Sequence, residues 1–89
     1  MGYDLYGFEK GVYSANIYTF KPLWGLVAYL CAFDEKQYNK GCFNDFDEFT
    51  KKETFHISQC LEIYLKNNED YDLLKFYLFV KDSGGFVIT

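Results

Sequence analysis

Residues 70–88, DYDLLKFYLFVKDSGGFVI, decide the fold. Asp70 is placed to cap a helix, Asp72 falls in its first turn and Lys81 in its last, each charge at the end that the helix dipole favours. Leu73, Leu74, Tyr77, Leu78 and Lys81 follow one another at helical spacing and form one stripe; Phe76, Phe79 and Val80 widen it. Gly84 and Gly85 after Ser83 give a C-terminal stop. Phe86, Val87 and Ile88 then read as a strand.

Upstream, Pro22 stands where a helix has its first residue, a place where its fixed φ helps and its missing N–H costs nothing. Leu23, Leu26, Val27, Leu30 and Cys31 carry one apolar face of that helix to about Phe33. Trp24, Ala28 and Tyr29 lie toward other sides, so the helix is covered on more than one side. Ahead of it, Tyr3 to Phe8 reads as a short strand, Glu9-Lys10-Gly11 as a turn, and Val12 to Phe20 as a second strand. Asp34 to Gly41 reads as a polar connection. In Cys42 to Thr50, Phe43, Phe46 and Phe49 recur among Asn44, Asp45, Asp47 and Glu48, either as a loop that feeds aromatics to the core or as a helical turn. Phe55 and Ile57 flank His56 as a brief strand. Ser58 then caps a helix with Ile57, Cys60, Leu61, Tyr64 and Leu65 on one face. This order predicts an α+β fold, a small antiparallel or mixed sheet with about three helices packed on one face, with residues 1–89 forming a single domain.

The 89 residues include ten Phe, nine Tyr and one Trp, which make up 22% of the chain. Aromatics on that scale supply the buried area that a short chain needs. No apolar run approaches a membrane span. The N-terminal MGYDLYGFEK lacks a basic region followed by an apolar stretch, so no export signal is read, and Tyr6 stands where myristoylation requires Ser or Thr. The expected location is the cytoplasm of a bacterial host. The net charge is −4, all nine basic residues are Lys and there is no Arg. Without the planar fork that grips phosphate and guanine, direct DNA binding is not expected. Cys31, Cys42 and Cys60 contain no CxxC pair and are expected to be reduced and partly buried; no metal or cofactor is read from them.

The opening MGYDLYG, then Gly11-Val12-Tyr13 with Ala15-Asn16-Ile17-Tyr18, Phe20-Lys21-Pro22-Leu23-Trp24, the pair Asn44-Asp45, and the ending Phe76 to Val80 with Ser83-Gly84-Gly85-Phe86-Val87-Ile88, resemble a family of small phage and prophage proteins. That family's pattern runs M-G-x-D-x-Y-G, P-L-W, N-D-G and S-G-G-F-x-I. The chain departs from it at Lys21, where the family has Arg, and at Phe46, where it has the Gly of N-D-G. The resemblance implies a shared fold and a mobile-element context, and it supplies no catalytic residues.

Several constellations could carry function. Asp45, Asp47, Glu48, Glu53 and His56 gather acids near the only histidine, yet Thr50 occupies the place of the central Gly that a calcium loop requires. A solvated loop accounts for them more simply. His56 reads as an exposed strand residue, and Cys31 and Cys60 as core residues. The function expected is that of a non-enzymatic inhibitor. It would bind a host protein, a basic nucleic-acid-binding effector or its RNA-bound complex, with an anti-CRISPR role as the concrete form. The binding residues expected are Asp45, Asp47, Glu48 and Glu53, then Glu69, Asp70 and Asp72, with Tyr13, Tyr18 and Tyr38 as anchors. The alternatives are a small metal-dependent hydrolase using Asp45, Asp47 and His56, and a self-associating structural protein.

Overall fold

The computed structural model describes residues 2–43 and 45–89. The Asn44 of the phage-like pair lies outside them. The described residues form four strands and four helices in the order β1 (Gly2–Gly7), β2 (Val12–Asn16), α1 (Ile17–Leu30), α2 (Glu35–Cys42), β3 (Asp47–Phe49), α3 (Lys51–Leu65), α4 (Tyr71–Ser83) and β4 (Phe86–Ile88). The expected α+β class is what the chain adopts, with a four-stranded, wholly antiparallel sheet of order β2-β1-β4-β3.

The sheet is two-faced because its side chains alternate with period two. Tyr3 and Leu5 of β1, Tyr13 of β2, Phe49 of β3 and Phe86 and Ile88 of β4 point inward and are buried. In register on the other face lie Val12, Tyr6, Val87 and Glu48, one from each strand. β4 reaches the sheet by an αL turn at Gly84, whose φ of 68° ends α4 where the Ser-Gly-Gly stop predicts. It then inserts between β1 and β3, so that Leu5 faces Ile88 and Phe49 faces Phe86.

A string of rings crosses the interior. Tyr3 stacks on Phe20 at 4.4 Å, Phe20 on Trp24 at 5.6 Å, Trp24 meets Phe49 edge-on at 5.5 Å, and Phe49 stacks on Phe86 at 5.1 Å. Each such contact adds about 0.5–1.5 kcal/mol beyond the area it buries. The cluster is continuous from β1 to β4, and the radius of gyration of 11.6 Å is close to the roughly 12 Å of a single globular domain of this length.

Four boundaries differ from the sequence reading, each for a local reason. The second strand ends at Asn16 and not at Phe20, because the Asn16 side chain accepts from the Thr19 N–H at 2.9 Å and starts α1 at Ile17. Pro22 therefore lies inside the helix, where it removes the bond its N–H would have given the Tyr18 carbonyl and crowds that carbonyl with its ring. The polar connection is a helix, α2, opened by a capping box between Asp34 and Gln37. The brief strand at Phe55–Ile57 is the first half of α3, which begins at a second capping box between Thr50 and Glu53. Ser58 is thus mid-helix, its hydroxyl donating to the Phe55 carbonyl. On α4 the buried face is Leu73, Phe76, Phe79, Val80 and Ser83; Leu74 and Leu78 are exposed. Of the three regularly spaced phenylalanines only Phe49 enters the core, and it does so from β3.

Candidate functional site

The N-termini of α1 and α4 open onto one cleft of about 390 Å³. Asn16 caps α1 and leaves Tyr18 in the first turn with its side chain 87% exposed. Asp70 caps α4, its Oδ1 accepting from the Leu73 N–H at 3.1 Å, and Asp72 follows in the first turn. Both carboxylates sit where the positive end of the α4 dipole favours them. Tyr18, Thr19, Asp70 and Asp72 line the cleft together with the apolar Pro22, Leu23 and Leu26. Among the described residues neither Asp70 nor Asp72 forms an ion pair. Asp72 acts inward as well. Burial first, and then the Asp72 charge, push the Tyr13 phenol above its ordinary range.

Asp70 also borders a neighbouring depression of about 370 Å³, shared with Leu65, Asn68, Glu69, Tyr71 and Leu74. Tyr71, Leu74 and Leu78 are all exposed and succeed one another at i, i+3 and i+7 along α4. The Lys75 ammonium lies 5.9 Å from the centre of the Tyr71 ring. The expected residues Tyr18, Glu69, Asp70 and Asp72 are therefore brought to one region. Tyr71 and Leu74 join them unforeseen. The available signal was an excess: α4 carries more large apolar residues than one buried face can take.

The acids placed first by the sequence are arranged differently. Asp45 and Glu48 are exposed, and Asp47 borders a shallow depression with Glu35, Lys36, Asn39 and Lys40. Lys40 is embedded among these groups. Its Nζ donates to the Glu48 carbonyl at 2.8 Å, lies 3.9 Å from Glu53 Oε1, and sits 4.9 Å from the centre of the Phe49 ring. Glu53 is occupied with structure. It accepts from the Thr50 N–H at 3.0 Å and from Gln37 Nε2 at 3.2 Å. Burial pushes its carboxyl up, but the Thr50 and Gln37 bonds and the Lys40 charge outweigh that and hold it below the usual range.

The tyrosines divide in the same way. Tyr13 is a core residue, 6% exposed and edge-on to Phe76 at 5.3 Å, and so is not the surface anchor its strand position suggests. Tyr38 is half in solvent on α2, and the neighbouring Cys42 raises its pKa. Asp45, Asp47 and His56 do not converge, and among the described residues no three His, Cys, Asp or Glu side chains are grouped to hold a metal. His56 is exposed as expected, but on a helix, with its Nε2 turned toward Cys31 and Cys60. A further depression, of about 590 Å³, has mixed charge, and its Lys51 is already paired with Glu9 at 2.8 Å.

No protein-family model, no curated protein and no solved structure matches this chain. No helix of the described residues is long and apolar enough to cross a membrane.

Proposed function

We propose that the chain is a non-enzymatic binding protein that inhibits a basic, nucleic-acid-handling partner by receiving cationic side chains of that partner in the α1–α4 cleft. The observation that carries this reading is the meeting of Tyr18, Asp70 and Asp72 with the apolar Pro22, Leu23 and Leu26 in one cleft. A lysine or arginine has an apolar stem and a charged head. Such a cleft offers each part a matching surface: aliphatic carbons for the stem, and two carboxylates and a tyrosine face for the cation. The net charge of −4 adds a long-range attraction for a basic surface. The phage-like sequence pattern narrows the candidate partners to host defence effectors, a CRISPR effector being the concrete case.

The test compares the wild-type chain with a Y18A/D70N/D72N variant, each immobilised and exposed to a bacterial lysate cleared of nucleic acid. The captured protein is then purified, and its affinity for both chains is measured at low and high salt. The expected result is a basic protein whose binding weakens as salt rises and falls at least about tenfold in the variant, a difference of about 1.4 kcal/mol. Equal affinity for both chains, or binding indifferent to salt, overturns the reading.

A further inference from the structure

Cys31, His56 and Cys60 meet where the C-terminal end of α1 lies against α3. His56 and Cys60 are one helical turn apart and so project from the same side of α3. His56 Nε2 lies 3.3 Å from the Cys31 carbonyl oxygen and 3.7 Å from Cys60 Sγ. Cys31 is the C-cap of α1, whose last turn contains no basic residue. Its carbonyl is among the oxygens a helix end leaves without an intrahelical partner. A proton passed from Cys60 to Nε2 therefore arrives on a nitrogen that this carbonyl already faces.

The two sulfurs are unequal. Cys31 is buried, whereas Cys60 is partly open to solvent. Cys31 and Cys60 meet at one atom, the Cys31 carbonyl and the Cys60 sulfur both lying against His56 Nε2. Burial first, and then the neighbouring Cys60, push the Cys31 thiol above the usual thiol range. Cys42 stands outside the group, at the end of α2.

We propose that Cys60 and Cys31 form a peroxide-sensitive thiol pair, in which a hydroperoxide oxidises Cys60 beside His56 and Cys31 closes an intramolecular disulfide. In the first step Cys60 gives its proton to His56 Nε2 and its sulfur attacks the near peroxide oxygen. The O–O bond breaks, and the departing oxygen takes the imidazole proton and leaves as water, or as an alcohol from an alkyl hydroperoxide. Cys60 is then a sulfenic acid. In the second step the Cys31 sulfur attacks the Cys60 sulfur. The S–O bond breaks and the leaving hydroxide takes the Cys31 proton as water. Two electrons pass from the sulfur pair to the peroxide. The disulfide ties the end of α1 to α3. This chemistry is independent of the cleft between α1 and α4.

The test treats the reduced protein with hydrogen peroxide, blocks residual thiols by alkylation and digests it without reductant. The expected product is monomeric protein with a Cys31–Cys60 cross-linked peptide and an alkylated Cys42. In C31S the Cys60 sulfenic acid accumulates and is trapped by dimedone. In H56Q, which retains a side-chain donor for the Cys31 carbonyl, oxidation of Cys60 slows roughly tenfold or more. Oxidation of Cys42 ahead of Cys60, disulfide-linked dimers in place of the internal bond, no trapped sulfenic acid in C31S, or a wild-type rate in H56Q each overturns the proposal.

Discussion

The Trp24 indole N–H donates to the Tyr38 carbonyl oxygen across 2.8 Å, so the bulkiest side chain of the core also tethers α2 to α1. Trp24 is only 1% exposed and is enclosed by Phe20, Phe33, Phe49 and Phe76. Gly41 lies directly over its ring, and a methyl group there would run into the indole.

G41A is therefore expected to destabilise the protein by about 1–3 kcal/mol, since the added methyl forces either the indole or α2 to shift. For a domain of this size each kcal/mol lowers Tm by about 4–8 °C. Thermal unfolding followed by near-ultraviolet circular dichroism checks both the stability and the indole environment. A wild-type Tm would show that α2 yields without cost.

Among the described residues, two hold left-handed backbone without being glycine. Ala32 has φ 53° and follows the C-cap of α1, where Phe33 N–H bonds the Ala28 carbonyl at 3.0 Å and Ala32 N–H the Tyr29 carbonyl at 3.3 Å. That is a Schellman ending with Ala in the glycine position. A32G is expected to stabilise by roughly 0.5–1 kcal/mol, the relief of left-handed strain less the added freedom of the unfolded chain. Urea unfolding reads this as a higher midpoint at unchanged m-value.

Phe46 has φ 63°, and its side chain is 72% exposed. The backbone here takes a conformation that suits glycine better than a residue with a Cβ. F46G is expected to match or exceed wild-type stability, by up to about 1 kcal/mol. A loss of more than that in urea unfolding would mean that the exposed ring contributes more than its strain.

Glu53 ties stability to pH. Its pKa is lower folded than unfolded, so its contribution is complete above the unfolded value and is lost as pH falls through the folded one. The wild type should exceed E53A in stability by about 1–2 kcal/mol near neutrality. The gap should shrink as pH drops below the ordinary glutamate range. Urea midpoints for both proteins across that range measure it. A gap constant with pH would show that the carboxylate charge contributes nothing.

Asp70 serves both as helix cap and as charge, and the two roles separate by substitution. D70N keeps a capping oxygen and should remain within about 0.5 kcal/mol of the wild type, whereas D70A should lose about 0.5–2 kcal/mol. Both remove the carboxylate from the cleft and should weaken binding of a cationic partner alike. Binding that follows stability instead would assign Asp70 to structure alone.

Much of the fold is legible in the chain because its strongest signals are local and consistent. The period-two strands at Tyr3–Leu5, the Gly84 stop and the strand at Phe86–Ile88 all form as read. The misreadings arise where β-branched and aromatic residues sit in helices. Ile17–Phe20 and Phe55–Ile57 have strand-like composition, and caps at Asn16 and Thr50 override it. These caps were present as Asn16 and as the Thr50–Glu53 pair, and carry more weight than the composition around them. The cleft was legible only in pieces. Tyr18 lies more than fifty residues from Asp70 and Asp72, and nothing local says that α1 and α4 begin side by side.

The position of β4 has a consequence for synthesis. Its pairings, Tyr6 with Val87 and Glu48 with Val87, make it the interior strand that joins β1 to β3. A ribosome delivers this strand after every other element named above. Until it emerges, the nascent chain holds an isolated hairpin with a bare hydrogen-bonding edge and a set of helices with no platform beneath them. Assembly must wait for Phe86 and Ile88, which makes it a late, concerted event. The waiting hairpin is the segment that a chaperone would have reason to shield.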